Sequence, residues 1–120
     1  MDGVKAFDFY VSLSPAEVAE KLKDGLNGRI VKAELLDEYQ RVLPDGKEVR
    51  MLIFQKYSFL ANDRPILTVT LDELEEKTKV HLCGASAVGG ALAIDMVEAG
   101  VSFAWKAKEV LKEYRLEESL

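Results

Sequence analysis

Phe7-Asp8-Phe9-Tyr10-Val11-Ser12-Leu13-Ser14-Pro15-Ala16-Glu17 joins two periodicities back to back. Phe7, Phe9, Val11 and Leu13 alternate with Asp8, Tyr10 and Ser12, the period of two expected of a half-buried strand. At Ser14 the rule changes. Its hydroxyl suits an N-cap, Pro15 tolerates the first helical position because the donor it lacks has no partner there, and Glu17 closes a capping box. Val18, Ala19, Leu22 and Leu26 then line one face of an amphipathic helix, while Glu17, Glu20, Lys21, Lys23 and Asp24 occupy the rest and Gly25 or Gly28 supplies the stop. A strand followed at once by a capped helix is the start of a mixed domain.

Beyond the helix the pattern returns to strands. Residues 29–43 are rich in β-branched and long apolar side chains, with Val31, Ala33, Leu35 and Tyr39 on one parity. Pro44-Asp45-Gly46-Lys47 combines a fixed φ, an Asx acceptor and a permissive glycine, so a hairpin joins this strand to one over 48–60. Asn62-Asp63-Arg64-Pro65 repeats the turn before a strand over 66–71. The acidic Asp72-Glu73-Leu74-Glu75-Glu76-Lys77 reverses the chain into a strand over 79–87, which carries Val80 and Leu82 on one parity and His81 and Cys83 on the other. Residues 91–99 have helical composition, and Gly100 either ends a helix or sits within one; the boundary is placed there. Phe103, Ala107, Val110, Leu111 and Tyr114 then form a stripe that predicts a closing helix with Lys106, Lys108, Lys112 and Arg115 on its exposed side.

The 120 residues are 48% hydrophobic and 31% charged, the balance of one globular domain over 1–120. A net charge of −5 repels phosphate backbones, so nucleic acid is not an expected partner. Cys83 is the single cysteine, which precludes an internal disulfide and favours a reducing cytoplasm. The start Met1-Asp2-Gly3-Val4-Lys5 has no signal-peptide pattern, and Asp95, Glu98 and the glycines 84, 89, 90 and 100 interrupt the apolar stretch 80–105, so no membrane partner is expected.

The order strand, capped helix, four-strand meander, Gly-rich turn and helix, together with Val11-Ser12-Leu13-Ser14-Pro15-Ala16-Glu17, Phe54-Gln55-Lys56-Tyr57-Ser58 and Gly89-Gly90, resembles a small bacterial family of unknown function across most of the chain. That resemblance implies a bacterial, cytoplasmic protein and transfers no catalytic residue; residues 91–99 depart from the pattern. The same order is similar to a TATA-binding-protein half or a helix-grip module, an analogy of fold that carries no function.

Few chemistries survive inspection. His81 and Cys83 face the same side of a strand, but their Cβ atoms would stand roughly 6.5–7 Å apart, side by side, with no neighbour evident to orient the imidazole. One His and one Cys cannot close a zinc site, and no cofactor is implied. Gly84-Ala85-Ser86-Ala87-Val88-Gly89-Gly90-Ala91 misses the Walker, dinucleotide and nucleophile-elbow patterns, so it reads as small residues that let backbone and helix approach closely. Asp95 and Glu98 read as a solvated helix face, and the acidic 73–76 run as a soluble turn that a cationic partner could use.

Val49-Arg50-Met51-Leu52-Ile53-Phe54 is the anomaly, because both parities turn apolar, joined by Ile66-Leu67. Two helices shield only one face of a sheet, so the reverse face, assigned Leu52, Phe54, Ile66 and Cys83, needs another cover. A second copy is the simplest, and a curved sheet closing over an apolar ligand is the alternative. The expectation is an α+β domain, an antiparallel sheet of about five strands with two helices on one face, acting as a non-catalytic homo-oligomeric binding module with Leu52, Phe54 and Ile66 at the interface. The alternative is a carrier or enzyme holding a small apolar or anionic ligand between sheet and last helix, near Tyr57, His81, Cys83, Ser86, Gly89, Gly90 and Trp105.

Overall fold

The computed structural model describes residues 3–28, 31–58, 64–86 and 94–117. In chain order the elements are β1 (Val4–Val11), α1 (Pro15–Gly25), β2 (Val31–Val42), β3 (Glu48–Ser58), β4 (Ile66–Asp72), β5 (Thr78–Ala85) and α2 (Ile94–Val110), followed by a short 3-10 turn at Lys112–Tyr114. The five strands form one antiparallel sheet in the order β1-β5-β4-β3-β2. This is the expected α+β architecture.

Local chemistry explains most boundaries. At α1 the Ser14 amide donates to Glu17 Oε1 at 2.9 Å and the Glu17 amide to Ser14 Oγ at 3.2 Å, so both halves of the capping box are made. In the β2–β3 turn Gly46 has φ of +90°, and the Lys47 amide donates to Asp45 Oδ1 at 3.1 Å. Gly100 does not end a helix as the sequence suggests. It lies inside α2, where its amide donates to Ser86 Oγ at 2.6 Å.

That position follows from how α2 meets the sheet. The helix lies across β5, β1 and β4, and α1 packs beside it against β3. A Cβ on Gly84 would overlap the Gly100 carbonyl oxygen, and one on Gly100 would come within 2.5 Å of the Ala85 carbonyl carbon. The two backbones therefore touch where both residues lack side chains, and the small residues of the 84–86 segment serve close approach. Around that crossing Phe9, Val11, Leu52, Phe54, Leu67, Val69, Leu71, Val80 and Leu82 of the sheet meet Val18 and Leu22 of α1 and Phe103, Ala104 and Ala107 of α2, all 1% exposed or less.

Leu52 and Phe54 thus face the helices, which revises the face assigned to them from sequence. Their pairing partners Val69 and Leu67 are also core residues, so the odd-numbered residues of β3 point the other way. A second revision concerns β2. The register shifts between Leu35 and Asp37, which sends Tyr39 to the side opposite Ala33 and leaves it half exposed.

One charged network sits on the helix side of this edge. Arg50 pairs with Glu38 and, at 2.5 Å, with Glu48, while Lys23 of α1 reaches Glu38 at 2.8 Å. The Lys23 ammonium first, and then Arg50, hold the Glu38 carboxyl below its ordinary 4.5 against the opposing effect of burial. A carboxyl depressed in the folded state contributes stability above its unfolded value, and that contribution is lost as pH falls through the folded one. Thermal melts should therefore show the wild type losing stability below pH 4.5 and Glu38→Gln losing less over the same span. Equal losses would show that this network does not carry the acid response.

Candidate functional site

Strand geometry builds two unlike faces. On β3 the even-numbered Leu52 and Phe54 enter the core, so Val49, Met51, Ile53 and Gln55 emerge on the side that carries neither helix. Ile66, Thr68 and Thr70 of β4 and Lys79, His81 and Cys83 of β5 share that face, with Ala6 and Asp8 of β1 at one margin and Glu34, Asp37, Tyr39 and Arg41 of β2 at the other. Val49, Met51, Ile53 and Ile66 form an apolar strip near its middle, half-buried by their neighbours within the sheet. Among the described residues both helices lie on the opposite side.

The β1 margin is organised by pairs that are distant in sequence. Asp8 and His81 are register partners, and Asp8 Oδ1 lies 2.7 Å from His81 Nδ1, with each side chain 44% exposed. A carboxylate only accepts, so in this pair Nδ1 carries the hydrogen. The imidazole thus has an orienting group, Asp8, that sequence reading missed; strand register across 73 positions supplies it. Cys83 is half-buried two residues along and makes no hydrogen bond to His81 among the described residues. The arrangement gives the imidazole an orienting carboxylate. Nearby, the Tyr10 hydroxyl donates to Glu75 Oε2 at 2.9 Å, which raises the Tyr10 pKa and draws the β4–β5 turn over its ring.

The residues expected around a ligand between sheet and last helix are not brought together. His81 and Cys83 lie on the helix-free face, whereas Ser86 bonds the Gly100 amide at the junction of β5 and α2. Trp105 is 51% exposed on α2, with its ring edge-on to Phe7 at 4.7 Å. Tyr57 pairs with Lys32 on the β2–β3 ladder, but its side chain lies outside the described residues, as do Gly89 and Gly90. Phe103, Ala104, Ala107 and Leu111 fill the interior of the sheet–α2 layer. A cleft of about 440 Å³ opens instead at the far end of the helix side, between the start of α1 and the β4–β5 turn. Among the described residues no group of three or more His, Cys, Asp or Glu side chains is placed to hold a metal ion, and no helix is long and apolar enough to cross a membrane.

Comparison with known proteins adds a family but no chemistry. A model of a family of unknown function matches residues 5–115. No curated protein matches the chain. Among solved structures, the X-ray crystal structure of protein CV1439 from Chromobacterium violaceum, a structural genomics target, is similar at 11% identity and a TM-score of 0.47, covering 92% of this chain and 96% of that chain.

Proposed function

The chain belongs to DUF6054, a family of unknown function, and since membership brings no activity with it, we propose from the chain's own surface that it is a non-catalytic interaction module that self-associates through the helix-free face of its sheet. The observation that carries this reading is the double-sided apolar character of β3. Its even-numbered Leu52 and Phe54 are consumed by the core, and Val49, Met51 and Ile53, with Ile66 beside them, remain as a second apolar surface.

The margins favour a copy of the same chain as the cover. Asp8, Asp72 and Lys79 border the strip on one side, and Glu34, Asp37 and Arg41 border it on the other, so each border holds both signs of charge. A two-fold axis through the strip lays apolar on apolar and lets each border find opposite charges, the arrangement of an apolar centre inside a polar rim. The lone Cys83 supports a reducing compartment, and the module is read as a bacterial cytoplasmic protein.

Light scattering at micromolar concentration tests this directly. Wild-type protein is expected at twice the 13.4 kDa chain mass, and Ile53→Glu, which places a charge in the strip without entering the core, is expected to return it to a single chain. A wild type that stays monomeric throughout that range would remove the reading.

A further inference from the structure

Only one end of the outer border of β1 is in use. There the chain's own tail pairs with it: Arg115 bridges to Val11 in the antiparallel sense, the Ser12 amide donates to the Tyr114 carbonyl, and the Leu116 amide donates to the Tyr10 carbonyl. The backbone groups of a strand point to its two sides in alternation, so the even positions of β1 face outward and the odd ones face β5. The Gly3 carbonyl agrees, accepting from the Ser86 amide just past β5. Ala6 and Asp8 therefore turn their amides and carbonyls outward, where nothing among the described residues bonds them. The border demonstrably accepts a strand, and part of it is open.

The helix side of this open part is aromatic and cationic. Phe7 and the half-exposed Trp105 meet edge-on; Lys5 holds its ammonium 5.2 Å from the Phe7 ring, and Lys108 holds its own 4.3 Å from Phe7 and 5.1 Å from Trp105. Neither ammonium pairs with a carboxylate among the described residues. In a chain of net charge −5 this is a local reversal of sign.

We propose that the open border of β1 binds an extended acidic peptide as a sixth strand, its backbone pairing with Ala6 and Asp8 and its carboxylates reaching Lys5 and Lys108. Residues two apart on an added strand share a face, so acids at that spacing both stand on the helix side, opposite Lys5 and Phe7. The tail limits the partner to about five residues, opposite Val4 to Asp8. A second copy fits poorly, because two β1 borders laid together set the lysines of each beside those of the other, and like charges oppose pairing. A free anion would use the lysines and leave the Ala6 and Asp8 backbone unpaired.

Nuclear magnetic resonance titration of the isotope-labelled full chain with a blocked pentapeptide alternating valine and glutamate, glutamate second and fourth, tests the site. Saturable shifts are expected at the Ala6 and Asp8 amides and at the indole of Trp105, the single tryptophan. Methylating the central valine nitrogen of the peptide, which points at β1, should weaken binding about tenfold; methylating a glutamate nitrogen, which points away, should not. Lys5→Gln and Lys108→Gln should each bind about threefold more weakly, and Lys32→Gln on β2 should bind as the wild type does. The same shifts are expected in Ile53→Glu, since the border is separate from the apolar strip of β3. Absent or non-saturating shifts, or shifts centred on β2, would overturn the proposal. Indifference to valine methylation would reduce it to anion binding, and an equal loss in Lys32→Gln to general attraction between charges. Ala6 and Asp8 amides that move with protein concentration in Ile53→Glu would give the border to a second copy instead.

Discussion

Replacing either Gly84 or Gly100 by alanine is expected to remove about 3 kcal/mol of stability or more, a large share of the total in a domain of this size. At Gly84 the added methyl would collide with the Gly100 carbonyl oxygen, and at Gly100 it would meet the Ala85 carbonyl carbon at 2.5 Å and the Ser86 nitrogen at 2.7 Å. These are backbone atoms, so no rotamer change gives relief. The helix must lift from β5, and lifting it loosens Phe103, Ala104 and Ala107. Two other glycines serve as controls. A methyl at Gly25 would press on the Val110 side chain, which can turn aside, and at Gly46 nothing lies within 4 Å, so only its φ of +90° opposes substitution, at about 1 kcal/mol. Urea denaturation of the four alanine variants orders them. If Gly84→Ala and Gly100→Ala fall no further than Gly46→Ala, α2 is not seated at this crossing.

A contrast between neighbours on β3 gives the second large effect. Phe54→Ala is expected to cost about 3–5 kcal/mol, because a ring 1% exposed between sheet and helices leaves a void that its surroundings only partly fill. Its oligomeric mass should not change. Ile53→Glu, one position earlier and on the other side of the sheet, should change the mass and leave the melting temperature nearly unaltered at concentrations where the wild type is already a single chain. A Phe54→Ala variant that keeps its melting temperature while altering its mass would reverse the two faces and with them the account of β3.

That contrast also marks where the sequence stops being legible. The period-two run from Phe7, the Ser14–Glu17 box, the turn at Pro44–Lys47 and the stripe of Phe103, Ala107 and Leu111 are each written in residues close together in the chain, and each is found in the fold. On β3 both parities are apolar, so alternation cannot say which one meets the helices; only the pairing with Leu67 and Val69 decides. The bulge after Leu35 has no residue signature in β2, and it moves Tyr39 to the other face. The Asp8–His81 pair is beyond local reading for a simpler reason, since it exists only once β1 and β5 are in register. Gly84 and Gly100 are visible as glycines, but a sequence shows no crossing point. The cleft combines both kinds of information: the acidic turn stands out in the chain, whereas its placement opposite Glu17 and over Thr78 does not.

The end of the chain has a bearing on how the sheet can grow. Past the 3-10 turn, Arg115 bridges to Val11, the Ser12 amide donates to the Tyr114 carbonyl at 2.9 Å, and the Leu116 amide to the Tyr10 carbonyl at 2.9 Å. Three residues of tail thus occupy one end of the outer border of β1, and an incoming strand could not run its full length without displacing them. The β2 border is deterred differently, by its bulge and by Lys32, Glu34 and Asp37 along it. Clipping the chain before Tyr114 would therefore open that end of the border to pairing with an incoming strand.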